Sequence, residues 1–257
     1  MNNRLIDLFK NKNRNLLSVY FTAGYPQLND TLTIAKALED AGADFLEIGF
    51  PYSDPVADGP TIQQSSHVAL ENGMSLKVLF QQLEKLRDQV SIPIILMGYV
   101  NPVLQYGVEK FCTDAARVGV DGVIVPDLPM YEYEELYRDA FEQNNLSNIF
   151  LITPQSSDER IRKIDELSQG FIYALSSSST TGNKLAVDAE QTEKYFQRLK
   201  GLKLINPLMI GFGINNRESF QKACSVANGA IIGSAFVKTL NGSVNDAKIK
   251  EFITSIR

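Results

Sequence analysis

The chain has 257 residues, 25 lysines and arginines against 30 aspartates and glutamates, and a net charge of −5. This balance excludes a broad basic surface for nucleic acid. A hydrophobic share of 44% supplies one large core, yet no window approaches the roughly 18 continuous apolar residues of a membrane span.

In chain order, the polar stretch 1–15 lacks the apolar segment of a secretion signal, so a cytoplasmic protein opening on a short helix is expected. Short apolar, β-branched runs follow at 16–22, 44–49, 93–99, 121–126, 148–153, 171–176, 207–211 and 229–233. Amphipathic helical segments alternate with them at 30–41, 76–90, 108–118, 133–143, 158–167, 189–199 and 217–226, and 246–256 closes the series. In the first of these Leu32, Ala35 and Leu38 share a face. Repeated βα alternation predicts a parallel sheet covered by helices, and eight units at this length predict a single α/β TIM barrel, (β/α)8, over 1–257. Extra helices are expected near the loops after strands two and eight. AGAD at 41–44, VGVD at 118–121 and ANGA at 227–230 each place glycine between a helix and a strand, where a left-handed cap is expected. Cys112 and Cys224 lie far apart in periodic segments and read as small buried hydrophobes. With one histidine, His67, expected at the surface or its boundary, no Cys/His metal site is predicted.

The segment FLEIGFPYSDPVADGP at 45–60 carries the chemistry. Strand alternation turns Leu46 and Ile48 toward the helices and Phe45, Glu47 and Gly49 into the barrel. A carboxylate inside a packed barrel is costly unless paired or needed, and no lysine or arginine in the strands faces it. Glu47 also sits near the C-terminal strand end, where this architecture builds active sites. Asp58 lies in the following loop; with Glu47 it forms a carboxylate pair suited to proton transfer and electrostatic stabilisation, although Asp-Gly is also ordinary turn chemistry.

Three later segments, 179–182, 211–214 and 233–235, offer glycine-rich backbone near helix starts. Loops after barrel strands seven and eight commonly hold phosphate, so a phosphorylated substrate is expected rather than a nucleotide cofactor, for which no GxGxxG or GxxxxGK[ST] run is present.

Taken together, YFTAGYP at 20–26, LEIGFPYSDPVADGP at 46–60, NPVLQYG at 101–107, PDLP at 126–129, STTG at 179–182, GFGI at 211–214 and GSAFVK at 233–238 closely resemble the alpha subunit family of tryptophan synthase. The resemblance implies retro-aldol cleavage of indole-3-glycerol phosphate to indole and glyceraldehyde 3-phosphate, with Glu47 and Asp58 as the catalytic carboxylates. It places Tyr20, Tyr99 and Tyr173 around the indole. It assigns the phosphate to Gly182, Phe212, Gly213, Gly233 and Ser234, and closure of the loop over the site to Thr181. It implies no cofactor in this chain and a pyridoxal-phosphate beta subunit as partner in an alpha2beta2 heterotetramer, contacted through the loop 51–60 and a turn near Asn101 and Pro102. Two positions depart from the family pattern: Ser179 replaces a glycine common in the loop after strand six, and Tyr25 stands where an acidic residue is common. A different phosphate-binding barrel enzyme, such as a sugar-phosphate isomerase or an indole-glycerol-phosphate synthase, would share the late glycine loops without needing the carboxylate pair. A silent regulatory subunit would not need it either, and a stand-alone lyase would lack the partner.

Overall fold

The computed structural model describes residues 3–176, 189–211 and 213–257. Its strands are β1 (Leu16–Thr22), β2 (Phe45–Gly49), β3 (Ile94–Met97), β4 (Gly122–Ile124), β5 (Ser147–Ile149), β6 (Leu151–Ile152), β7 (Ile172–Leu175), β8 (Leu208–Gly211) and β9 (Gly229–Ile232). They pair in parallel in the order β5-β4-β3-β2-β1-β9-β8-β7-β6. The two ends of that order, β5 and β6, are separated in the chain by Phe150 alone. They are one strand interrupted at a single residue, so the sheet returns on itself as a barrel of eight strand positions. Phe150 stays in the wall, its carbonyl accepting the Tyr173 N–H at 3.0 Å.

Helix α1 (Arg4–Asn11) precedes the sheet. Around the barrel follow α2 (Thr31–Ala41), α3 (Pro60–Glu71), α4 (Leu76–Leu83), α5 (Val100–Tyr106), α6 (Val108–Arg117) and α7 (Met130–Glu132). Helix α7 runs through a π-helical turn (Tyr133–Tyr137) into α8 (Arg138–Gln143). Then come α9 (Asp158–Leu167), α10 (Ala189–Leu202), α11 (Arg217–Cys224), α12 (Ser234–Thr239) and α13 (Asp246–Ile256). Helices α3 and α12 are the additional elements expected after strands two and eight. The turn expected near Asn101 and Pro102 is instead part of α5. Pro102 is its third residue, where the backbone N–H has no intrahelical partner to lose. Helix α4 stops at Leu83 and passes into a 3₁₀ turn, Leu86–Asp88, short of the expected 90.

Strand alternation divides the apolar residues into two cores. Leu17, Val19, Phe21, Leu46 and Ile48 face the helices and pack with residues such as Ile34, Leu38 and Leu79. Leu16, Phe45, Ile95, Ile124, Ile149, Met209 and Ile231 fill the barrel. Helix α1 closes the lower end, where the strands begin, by inserting Leu5 and Phe9. The Phe9 ring lies 5.7 Å from Phe171 and 6.2 Å from Phe45, and Phe45 and Phe171 are 5.5 Å apart. The Asn3 side chain caps α1 by accepting the Leu5 N–H at 2.9 Å, and its amide donates to the Asp121 carbonyl at 2.7 Å.

The carboxylates at this lower end are saturated. Asp121 meets Arg87 at 2.7 Å and Arg4 at 3.0 Å and accepts the Ile94 N–H at 2.9 Å. Asp44 accepts the Leu17 N–H at 2.8 Å and pairs with Lys12 and Arg257.

Of the three glycines expected as left-handed caps, Gly42 and Gly119 are, with φ of 100° and 84°. Gly229 is not. It is the first residue of β9, and a Cβ there would lie 2.1 Å from the Leu16 carbonyl oxygen, so close approach of β9 to β1 explains it. Cys112 is buried as expected, whereas Cys224, at the end of α11, is half-buried. His67 is exposed beside Glu71.

Candidate active site

At the C-terminal strand ends a cavity of about 490 Å³ opens between the barrel rim and the loop after β2. Tyr20, Phe50, Tyr52, Met97, Tyr99, Leu151 and Leu175 make its apolar wall, with Asp58 among them. A second cavity of about 210 Å³ shares Tyr20, Asp58 and Met97 and continues to Tyr173, Gly213, Gly233, Ser234 and Lys238. The three expected tyrosines therefore divide: Tyr20 lies on both cavities, Tyr99 on the larger and Tyr173 on the smaller. Their inward placement depends on glycine. A Cβ at Gly49 would meet the Tyr20 hydroxyl at 2.1 Å, and one at Gly211 would meet the Tyr173 hydroxyl at the same distance. Each ring thus crosses the inner face of the neighbouring strand where that strand has no side chain.

Glu47 is fully buried and faces inward, opposite Tyr20 in the β1–β2 register. It lines neither cavity. Its Oε1 accepts a hydrogen bond from the Ser18 hydroxyl at 3.0 Å, and Oε2 has no partner among the described residues. No lysine or arginine pairs with it among those residues, so the structural ion pair weighed from the sequence does not occur. Burial pushes the Glu47 carboxyl up from 4.5 to about 8, against the opposing pull of Ser18.

Asp58 is half-buried. Burial raises its carboxyl from 3.8 to about 6, while the Tyr99 hydroxyl, donating to Oδ2 at 3.1 Å, pulls the other way. Tyr99 also accepts the Ala57 N–H at 3.0 Å, so one phenol ties the loop after β2 to the end of β3. Tyr52 packs on Tyr99 with ring centres 5.3 Å apart, and Asn101 donates to the Tyr52 hydroxyl at 3.1 Å. The Asp58 N–H donates to the Pro55 carbonyl at 3.0 Å, and Gln63 donates to the Asp58 carbonyl at 2.9 Å. Pro60 at the first helical position then starts α3. The carboxylate is held by a folded loop rather than by a bare turn.

At pH 7 these environments separate the two carboxyl groups into a mainly protonated Glu47 and a mainly ionised Asp58, an arrangement able to supply a proton donor and an anion to one ligand. Gly213, Gly233 and Ser234 share the smaller cavity, and the buried Ser234 Oγ has no hydrogen-bond partner among the described residues. Thr181, Gly182 and Phe212 lie outside the described residues. Among the described residues no group of three or more His, Cys, Asp or Glu is placed to hold a metal ion, and no helix is long and apolar enough to cross a membrane.

Sequence reasoning passed over Ser18 and Tyr52. The available signal for Ser18 was a small hydroxyl residue on an inward position of β1, between Leu16 and Tyr20; for Tyr52 it was an aromatic residue in the carboxylate loop.

Residues 6–255 match the family model described as tryptophan synthase alpha chain. The tryptophan synthase alpha chain of Flavobacterium psychrophilum is 54% identical over 245 residues, covering 95% of this chain and 96% of the relative. That of Parabacteroides distasonis is 50% identical, covering 96% and 95%. The crystal structure of tryptophan synthase subunit alpha from Legionella pneumophila superposes with a TM-score of 0.89 at 29% identity, covering all of this chain and 97% of that one. A structure of Mycobacterium tuberculosis tryptophan synthase gives 0.88 at 32% identity, covering 99% and 96%. With this breadth of agreement in sequence and in fold, the chain belongs to the tryptophan synthase alpha chain family.

Proposed function

We propose that the chain catalyses the alpha reaction of tryptophan biosynthesis, a carbon–carbon lyase step that cleaves indole-3-glycerol phosphate to indole and glyceraldehyde 3-phosphate. The observation that carries this reading is the pair of carboxyl groups pushed to different proton affinities beside a tyrosine-lined cavity. Indole is a poor carbon leaving group. Protonation of its C3 makes the ring an electron sink, and Glu47, held largely protonated, is suited to donate that proton. Asp58, largely ionised, accepts the indole N–H and stabilises the positive ring. The Glu47 carboxylate left behind then takes the proton of the adjacent glycerol hydroxyl. The C–C bond breaks, its electrons neutralise the ring, and the aldehyde leaves with Glu47 protonated again. Because Glu47 rests below the cavity, its carboxyl must rotate about its side-chain bonds to reach the substrate. Flat aromatic walls at Tyr20 and Tyr99 fit the indole. Gly213, Gly233 and the Ser234 hydroxyl, which has no partner among the described residues, fit the phosphate; the family resemblance alone adds Gly182 and Phe212 to that role and gives loop closure to Thr181.

This reading assigns no cofactor to the chain itself. Indole passes to a pyridoxal-phosphate beta subunit in an alpha2beta2 assembly of the cytoplasm. The partner-facing surface is the loop after β2 with α5, where Val56 is 79% and Leu104 45% exposed, more than large apolar side chains usually are. The test is indole release from indole-3-glycerol phosphate by the purified chain, alone and with the beta subunit. Slow release that the partner stimulates supports the reading. Fast release unaffected by the partner would favour a stand-alone lyase, and no release in either case would overturn it. Leu104→Asp should reduce stimulation while turnover of the chain alone persists.

A further inference from the structure

We propose that Ser18 is a positioning residue for Glu47: its hydroxyl fixes where the buried carboxyl rests and favours the ionised form there, before the side chain swings to the substrate. The inference rests on the function proposed above for Glu47 and adds the group that governs it.

The geometry leaves little else for that role. Ser18 is itself fully buried on β1, and its hydroxyl lies 3.0 Å from Glu47 Oε1. Oε2 has no partner among the described residues. Ile95 of β3 stands opposite Glu47 in the register, and among the described residues the titratable groups facing it are Tyr20 of β1 and Tyr173 of β7. Both phenols are pushed far above their ordinary value by burial, so they stay neutral across the working range. Asp58 bears on those same two phenols from the loop after β2 and is tied to Tyr99, not to Glu47.

A hydroxyl that donates to a carboxylate lowers its proton affinity, and in a site this dry a single donor carries much of the effect. Ser18 thus opposes burial. Without it, Glu47 would hold its proton more tightly where it rests and would lack the anchor from which it swings to the substrate. The hydroxyl also ties the carboxyl to β1, below the cavity, by one hydrogen bond that side-chain rotation can break.

The test compares Ser18→Ala and Ser18→Thr with the parent chain in the pH profile of indole release with the beta subunit. A parallel titration follows the ¹³C-labelled glutamate carboxyl resonance by NMR, with Glu47→Gln identifying the Glu47 signal. In Ser18→Ala the falling alkaline limb and the Glu47 resonance should both move to higher pH by about one to two units, as expected for loss of a donor to a charged group. The turnover number should fall with KM little changed. Ser18→Thr, which keeps a hydroxyl on the same Cβ, should return both readouts toward the parent. If the resonance and the limb stay in place in Ser18→Ala, Ser18 only fills space and the inference fails. If the resonance moves and the limb does not, the hydrogen bond is real but Glu47 does not govern the reaction, and the catalytic reading fails with it.

Discussion

The two ends of the barrel treat their carboxylates in opposite ways. At the lower end Asp121 is surrounded by Arg87, Arg4 and a backbone N–H, and Asp44 by Lys12, Arg257 and another backbone N–H. At the upper end, among the described residues, Glu47 has one hydroxyl for two oxygens, and the Asp58 carboxyl accepts from one phenol. Satisfied charges fix the strand starts to their neighbours. Unsatisfied ones leave protons loosely assigned, which stability does not need and catalysis does. A chain this long can carry both in one core because the lower end supplies the anchorage.

The sharpest way to break this contrast is to remove one carboxylate from each end. Glu47→Gln should lower indole release at least about 100-fold, the lower bound typical for loss of general acid–base action, with no loss of stability in urea. Asp121→Ala should do the reverse: it strands Arg87 in a largely buried position and should cost about 3–5 kcal/mol in urea unfolding, while the folded fraction keeps its turnover. If both variants lose stability equally, the ends do not differ as argued.

Linkage sharpens the contrast further. An unfolded Glu47 has a carboxyl near 4.5 and the folded one sits near 8. Between these values the unfolded chain releases a proton that the folded chain retains. The stability Glu47 contributes is therefore fully present below pH 4.5 and is lost as pH rises toward 8, by up to about 1.4 kcal/mol per pH unit. Urea unfolding of the parent and Glu47→Gln at several pH values should diverge in that window, with the variant gaining; parallel curves would refute the raised proton affinity. The smallest effect is steric. Gly49→Ala drives a methyl group into the Tyr20 hydroxyl and should cost about 1–3 kcal/mol, read as a lower melting temperature, with a raised KM as the ring shifts into the cavity.

Much of this was legible because strand physics repeats. Alternation along 45–49 was enough to turn Glu47 inward, and β-branched runs were enough to mark all eight strand positions. What escaped depended on partners distant in sequence. Ser18 meets Glu47 only because β1 and β2 pair with Ser18 beside Phe45 and Tyr20 beside Glu47, and no local pattern encodes that register. Gly229 looked like the other helix-ending glycines, and only the approach of Leu16 gives its reason. Helix α5 was hidden by Asn-Pro, a turn signal that the first turn of a helix also accepts.

The interruption at Phe150 has a mechanical side. Strand β5 pairs with β4 only from Ser147 to Ile149, and β6 pairs with β7 only over Leu151 and Ile152. By comparison, β1 and β2 are laddered from Ser18 to Thr22. The barrel therefore has a seam, and Leu151, Thr153 and Gln155, at and just past its upper edge, line the larger cavity. A short ladder opens at lower free energy than the rest of the sheet, so amide hydrogens here should exchange ahead of those in β1 and β2. The larger cavity thus has a short ladder along one side, and a bulkier ring-substituted ligand should be accommodated by yielding there.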